Sequence, residues 1–237
     1  MQDFEVQAIG RVKSPYKEKF AVPRQPGLAN SVVSVIEFFD DFAAPDFFAG
    51  IDEHSHLWVL FLFHQNIAKG WSAKVRPPRM GGNKKLGVFA TRSSFRPNAM
   101  GMSAAKLLEV KNSDGKISLV LKGLDLVDDT PVVDIKPYIP YSDTVTDAVS
   151  NIAPAEPATV DVCFSAEAQN TLHEEHQHFP KLEQQLRDIL RQDPRPASKK
   201  RKEDNKEYGV RLFCFNVLWQ VKDNCLIITR IEKVDDE

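Results

Sequence analysis

Cysteine is scarce in this chain: Cys163, Cys214 and Cys225 are the only three in 237 residues, and no two stand in a C-x-x-C spacing. A sparse, odd set of this kind argues against a disulfide framework and against a thiolate zinc site, and reads as reduced thiols in a cytoplasmic chain. Long apolar runs are missing as well. The longest, Leu57 to Phe63, falls far short of the roughly 20 residues that a spanning helix requires, so no membrane span is expected. The start, Met1-Gln2-Asp3-Phe4-Glu5, places acids where a secretory leader has basic and then apolar residues, so export is not expected either.

Several chemical signatures are absent too. No G-x-G-x-x-G and no G-x-x-x-x-G-K-[ST] occurs, which removes the Rossmann and P-loop ways of cradling phosphate. Without a G-x-S-x-G elbow, and with no catalytic signature around Cys163, covalent nucleophilic catalysis lacks support. His173-Glu174-Glu175-His176 spaces its histidines three apart, where the zincin helix needs four, and reads as a polar helix face. His54, His56 and His64 bracket the apolar run and could converge, but no metal is expected.

The most informative absence is of one sign of charge. The chain as a whole is balanced, with 31 Lys and Arg against 33 Asp and Glu and a formal net charge of −2. Yet from His54 through Leu108 there is no Asp or Glu, while the same segment holds Lys69, Lys74, Arg76, Arg79, Lys84, Lys85, Arg92, Arg96 and Lys106. A face of that composition suits phosphates, which Lys and Arg neutralise and which a nearby carboxylate would repel. A second basic cluster, Lys199-Lys200-Arg201-Lys202, follows Asp193-Pro194-Arg195-Pro196; a solvated loop and a nucleic-acid contact both fit it.

What is present reads first as β-structure. Glu5 to Val12 alternates apolar with polar, the period of a half-buried strand. Ser31 to Phe39, Leu57 to Phe63, Leu86 to Ala90, Ala105 to Val110, Ile117 to Leu121 and Val132 to Ile135 are further strand candidates, the second of these buried on both faces. Between the first two, Ser14 to Gly27 carries three prolines and a Pro-Gly signal, an ordered loop whose exposed backbone could meet a ligand. Asn151 to Pro157 reads as a linker. Beyond it the periodicity changes: Ser165 to His178 has helix composition, and Leu182, Leu186, Ile189 and Leu190 recur at the helical period before Pro194. Tyr208 to Val221 and Cys225 to Val234 then read as a hairpin about Lys222-Asp223-Asn224. The expected architecture is mainly β: a small antiparallel β-barrel over residues 1–150 and a smaller α+β domain over 158–237.

Candidate functional residues cluster in a few stretches. Gly81-Gly82-Asn83 and Gly87 to Ser93 permit close backbone approach, and Arg92 and Arg96 offer rigid forks suited to carboxylate or phosphate. Asp125, Asp128, Asp129 and Asp134 surround one strand, where carboxylates can bind ribose hydroxyls or take a proton; turn chemistry is the competing reading for Asp128-Asp129. Trp71 and Phe95 beside the basic segment suit stacking on unpaired bases, or core packing.

At Ser14-Pro15-Tyr16, Pro23-Arg24-Gln25-Pro26-Gly27, Arg76-Pro77-Pro78-Arg79, Gly87 to Arg92, Arg96-Pro97-Asn98, Asp125-Leu126-Val127-Asp128, Asp134 to Tyr138 and Asp193-Pro194-Arg195-Pro196, the chain resembles the TsaA-like family, and within it the TrmO-type tRNA methyltransferases. Single motifs are short, but eight in one order are jointly specific. The resemblance implies a small β-barrel enzyme, a homodimer in the cytoplasm, that uses S-adenosylmethionine to methylate N6 of threonylcarbamoyladenosine at position 37, in the tRNA anticodon stem-loop. It implies cofactor contacts at Gln25, Pro26, Gly27, His64, Gln65, Arg92, Met102, Leu124, Asp125 and Leu126, near the subunit interface. Asp125 or Asp128 is then the base or the ribose partner, Arg92 or Arg96 the partner of the threonyl carboxylate, and Arg76, Arg79, Lys84, Lys85, Arg96, Arg195, Lys199 and Lys200 the tRNA contacts. Two positions depart from the family pattern: Ala99-Met100 stands for Pro-Ile, and Asp129 for Gly. The competing reading is a non-catalytic RNA-binding module; a phosphate-ester hydrolase would need a metal-ligand cluster that the sequence lacks.

Overall fold

The computed structural model describes residues 4–78, 84–196, 199–200 and 204–234. Six strands close into an antiparallel barrel: β1 (Gly10–Lys13), β2 (Val33–Phe38), β3 (His56–Leu62), β6 (Met100–Ser113), β7 (Lys116–Lys122) and β8 (Thr130–Pro137), in the order β1-β2-β7-β6-β3-β8. Closure comes from the short β1, which pairs with β2 on one side and β8 on the other, leaving no free edge. Between β3 and β6 lie helix α1 (His64–Ile67) and a two-stranded ribbon, β4 (Lys74–Val75) with β5 (Leu86–Gly87).

Alternation fills the barrel. Val12, Ile36, Leu57, Val59, Phe61, Leu119, Leu121 and Val132 point inward and are almost fully buried. The expectation that the 57–63 run is buried on both faces is corrected: Trp58, Leu60 and Leu62 face outward and are half-buried. A closed barrel has one interior, so a strand in it has one core face. The outward Trp58 is partly covered by Tyr138, at 5.4 Å between ring centroids, and its indole N–H donates to Asp143 at 2.9 Å. β6 runs far beyond the expected 105–110, bending at a register shift between Leu107 and Glu109. Gly101 in it is dictated by packing, because a Cβ there would sit 2.5 Å from the Phe61 ring.

The C-terminal region is a four-stranded sheet, β10 (Asp204–Leu212), β11 (Phe215–Lys222), β12 (Cys225–Lys233) and β9 (Asp161–Phe164), in that order, with β9 parallel to β12. The short helix α2 (Pro140–Asp143) follows β8, and helices α3 (Ala166–Glu174) and α4 (Leu182–Leu190) accompany the sheet. The Ser165 hydroxyl caps α3 by accepting from the Ala168 N–H at 3.1 Å. α4 buries Leu182, Leu186, Ile189 and Leu190 in a core shared with Val217, Trp219, Leu226 and Ile228. The single strand read over Tyr208 to Val221 is two, because the chain reverses at Phe213, which adopts φ +56°. β9 escaped the sequence reading, being four residues long at the end of a proline-rich stretch. Its Cys163 brings its sulfur to 2.9 Å from that of Cys225 on β12, and both are free thiols.

The loop from Ser14 to Val32 belongs to both regions. Tyr16, Ala21, Ala29 and Val32 are buried in the C-terminal core, and Phe20 stacks on Trp219 at 6.3 Å. Phe213 N–H donates to the Pro15 carbonyl at 2.8 Å, Arg211 N–H to Glu18 at 2.8 Å, and Ser31 N–H to Asp188 at 3.0 Å. Much of this loop's surface is therefore used for docking, where the sequence reading had it exposed. Among the described residues no helix is long and apolar enough to cross a membrane.

Candidate active site

At the end of β3 the chain turns through Phe63 into α1, and the 124–130 segment leading into β8 runs beside it. Together with Lys19, Val22 and Ser94 they line a cleft of about 210 Å³. Phe61, Phe63 and Leu126 give it apolar walls; His64, Gln65 and Asp125 supply polar groups.

Asp125 is the electrostatic centre. Ser103, on β6 and itself buried, donates its hydroxyl to Asp125 Oδ1 at 2.6 Å. Burial raises the carboxyl above the usual Asp range, while the Ser103 bond and the Arg92 charge pull it back in part. His64 is pushed below its usual value by burial, aided by the charge of Lys19, so its ring is neutral near pH 7. The Lys19 ammonium donates to the Gln65 carbonyl at 3.0 Å and to Asn66 Oδ1, and the Asn66 amide donates to Ser94.

The expected cofactor residues divide into two groups. His64, Gln65, Asp125 and Leu126 line the cleft. Gln25 approaches through Arg92, which donates to Gln25 Oε1. Gly27 takes φ +80° and donates its N–H to the Gly123 carbonyl at 2.9 Å, which sets the 25–27 turn, Pro26 included, against the segment that carries Asp125. Leu124 is 1% exposed, packs in the barrel core and does not line the cleft. Met102 lies apart from the cleft lining, 56% exposed on the strand β6.

Three of the expected site residues are engaged by contacts within the chain. Asp128 accepts from the Ser14 N–H and from the Lys17 ammonium, each at 2.8 Å, so both oxygens tie down the 14–17 loop. Arg96 donates to the Thr91 carbonyl at 2.7 Å and lies over the Phe89 ring at 5.9 Å, stapling its own loop. Arg195 is 4% exposed and pairs with the equally buried Asp193 through contacts of 2.9 and 3.0 Å, where no phosphate can reach it. By contrast Arg76, Lys84, Lys85, Lys199 and Lys200 are exposed, and Arg79 lies outside the described residues. Trp71 is 62% exposed, as a stacking residue requires, whereas Phe95 is half-buried. His54 and His56 do not join His64 at the cleft, and no metal-binding group of His, Cys, Asp or Glu occurs among the described residues.

The two departures from the family pattern both fall at backbone positions with positive φ. Ala99 has φ +49°, which proline cannot adopt, and Asp129 has φ +57°, which glycine takes more easily. Asp129 instead accepts from Lys13 at 2.7 Å. Sequence reasoning missed Lys19, Asn66, Ser94 and Ser103. Lys19 stood between two recognised motifs, but Ser103 had no local signal at all.

A closed barrel with a polar cleft at a strand end, an enclosed carboxylate and exposed basic loops defines a class of ligand-binding barrel distinct from the doubly wound nucleotide folds. Comparison with known proteins narrows the class. The tRNA-methyltransferase O N-terminal domain matches residues 11–144 and the TrmO C-terminal domain residues 157–234. The tRNA (adenine(37)-N6)-methyltransferase of Escherichia coli is 48% identical over 224 residues, covering 94% of this chain and 95% of that one. A putative S-adenosylmethionine-dependent methyltransferase of Pseudomonas aeruginosa, RcsF, is 44% identical over 218 residues, 90% and 91% of the two chains. A crystal structure of TrmO from the same species superposes with a TM-score of 0.81 at 35% identity, covering 98% of each chain. The chain belongs to the tRNA-methyltransferase O family.

Proposed function

We propose that this protein methylates N6 of threonylcarbamoyladenosine at position 37 of tRNA. Family membership makes it an S-adenosylmethionine-dependent tRNA methyltransferase acting on adenine 37. The threonylcarbamoyl group, the anticodon stem-loop as docking region and the residue roles are the finer reading. The observation that carries it is Asp125, a carboxylate enclosed in the cleft and poised above its ordinary range.

The exocyclic amine of adenine is a poor nucleophile, because its lone pair is conjugated with the ring, and carbamoylation withdraws it further while making the N–H more acidic. Removing that proton is the chemical problem, so a base with a raised pKa, together with positioning, supplies the catalysis. Asp125 is that base, and the Ser103 hydroxyl holds its carboxylate in one orientation. The alternative duty for the same oxygens is to accept from the cofactor ribose. The cleft suits S-adenosylmethionine on its own chemistry: apolar walls at Phe61, Phe63 and Leu126 for an aromatic base, and Gln65, His64 and the Arg92–Gln25 pair for polar groups. When bound, that cofactor supplies an electrophilic methyl group.

The half-buried Trp58, Leu60 and Leu62 and the exposed Met102 support a homodimer, in which Met102 reaches a site built by two copies. The exposed Arg76, Lys84 and Lys85, with Lys199 and Lys200 of the C-terminal domain, contact tRNA phosphates, and Trp71 stacks on an unpaired base. The residue division into a 1–150 catalytic domain and a 158–237 tRNA-assisting domain, and a cytoplasmic location, belong to the same reading.

The test is transfer of labelled methyl from S-adenosylmethionine to tRNA carrying threonylcarbamoyladenosine, beside the same tRNA without it. Label on the modified tRNA alone is the expected result. Equal label on both discards the threonylcarbamoyl requirement, and RNA binding without any cofactor binding favours a non-catalytic module.

A further inference from the structure

The cleft contains one cation whose charge has no counter-ion. Lys19 donates to the Gln65 carbonyl at 3.0 Å and to the Asn66 amide oxygen, both neutral acceptors, and no ion pair is formed by it among the described residues. An ammonium has three N–H donors, so two bonds leave one to give. The potential around it is further raised by Lys69, and burial together with that neighbour lowers its pKa. Such a group gains from an arriving anion, because the anion meets a donor already held in place. Neither arginine that the sequence suggested for this duty lines the cleft as Lys19 does: Arg96 donates to the Thr91 carbonyl at 2.7 Å and Arg92 to Gln25 at its margin.

We propose that Lys19 binds a ligand carboxylate in the cleft, with Asn66 and Ser94 holding the ammonium in place. The inference rests on the function proposed above, in which two ligands carry the same group: the methionyl end of S-adenosylmethionine and the threonyl end of the modified adenosine both present an α-amino-acid-type carboxylate. The chemistry recognised is identical, and the experiment separates the sources.

Lys19 is largely exposed, so Lys19→Met keeps the stem and the fold while removing the charge, and Lys19→Arg restores it. KM for S-adenosylmethionine and for threonylcarbamoyl-tRNA is measured for each, beside calorimetric titration with S-adenosylmethionine and its decarboxylated analogue. The expected result is a rise of about 10- to 100-fold in one of the two KM values for Lys19→Met, with partial rescue in Lys19→Arg. A rise confined to the cofactor, with the analogue binding wild type and variant alike, assigns the methionyl carboxylate. A rise confined to tRNA assigns the threonyl carboxylate. Unchanged KM values, or a fall in kcat alone, overturn the proposal. Should wild type transfer no methyl, the functional reading fails on that count; binding still decides Lys19, since equal affinity of wild type and Lys19→Met for both S-adenosylmethionine and threonylcarbamoyl-tRNA rejects it.

Discussion

Ser103 and Asp125 come from strands and loops that are remote in sequence, yet the Ser103 hydroxyl meets Asp125 Oδ1 at 2.6 Å in the wall of the cleft. The bond favours the ionised carboxylate and opposes the effect of burial, which favours the protonated one. The balance leaves Asp125 above the ordinary Asp range, toward the pH at which the reaction runs.

As a base, Asp125 works only when ionised, so kcat/KM should rise with pH through its raised pKa. Ser103→Ala removes a bond to the ionised form, and its acid limb should move to higher pH in a pH–rate profile. Asp125→Asn should lower methyl transfer by about 10²- to 10⁴-fold, the usual worth of a positioned base.

The same shift predicts a stability cost. A carboxyl whose pKa is higher in the folded state contributes stability that is complete below the unfolded value and lost as pH rises through the folded one. Asp125→Asn should therefore melt at a higher temperature than wild type near pH 7, and the difference should vanish in acid. Thermal melts at two pH values check it, and a variant that melts lower at neutral pH would contradict it.

Asp128 should behave in the opposite way. Its bonds to Ser14 N–H and Lys17 hold the loop that docks the C-terminal sheet. Asp128→Ala should destabilise the fold by about 1–3 kcal/mol, as expected when a backbone donor loses its acceptor, with kcat per folded molecule little changed. Urea unfolding alongside initial rates separates the two effects.

Arg195→Met leaves Asp193 as a buried carboxylate whose nearest remaining cation is Lys200 at 3.7 Å. Breaking a buried pair in this way costs about 3–5 kcal/mol. The tRNA KM of the molecules that remain folded should be unaltered, which a phosphate contact could not tolerate.

Removing exposed cations should do the reverse. Replacing Lys84 and Lys85 together by Gln should leave the melting temperature within about a degree, because exposed charges contribute little. The tRNA KM should rise at all sequences, and the logarithmic salt slope should fall by about one for each lost phosphate contact. A slope identical to wild type would remove these residues from the interface.

Much of this was legible along the chain. Short apolar, β-branched runs in β7 and β8 and the 3.6-residue repeat of Leu182, Leu186, Ile189 and Leu190 reported their own elements, because burial marks both composition and period. The stretch without acids marked the basic segment, and the ordered motifs brought the family into view. Asp125, His64 and Gln65 followed from those motifs and do line the cleft. Composition and local spacing determined the elements and the basic segment, since neither needs a partner distant in the chain, and the resemblance supplied the site residues.

Partnership was decided only in three dimensions. Asp125 and Asp128 are three residues apart and alike in sequence, but one faces the cleft and the other clamps Ser14 and Lys17. Arg195 looks like a nucleic-acid contact until Asp193 is seen to bury it, and Lys19 looks ordinary until its ammonium is found in the cleft wall without a counter-ion. Charge and hydrogen-bonding capacity are properties of a residue, and sequence carries them. Whether they serve structure or chemistry depends on desolvation and on the nearest partner, which barrel closure and the shared 14–32 loop supply by bringing distant segments together.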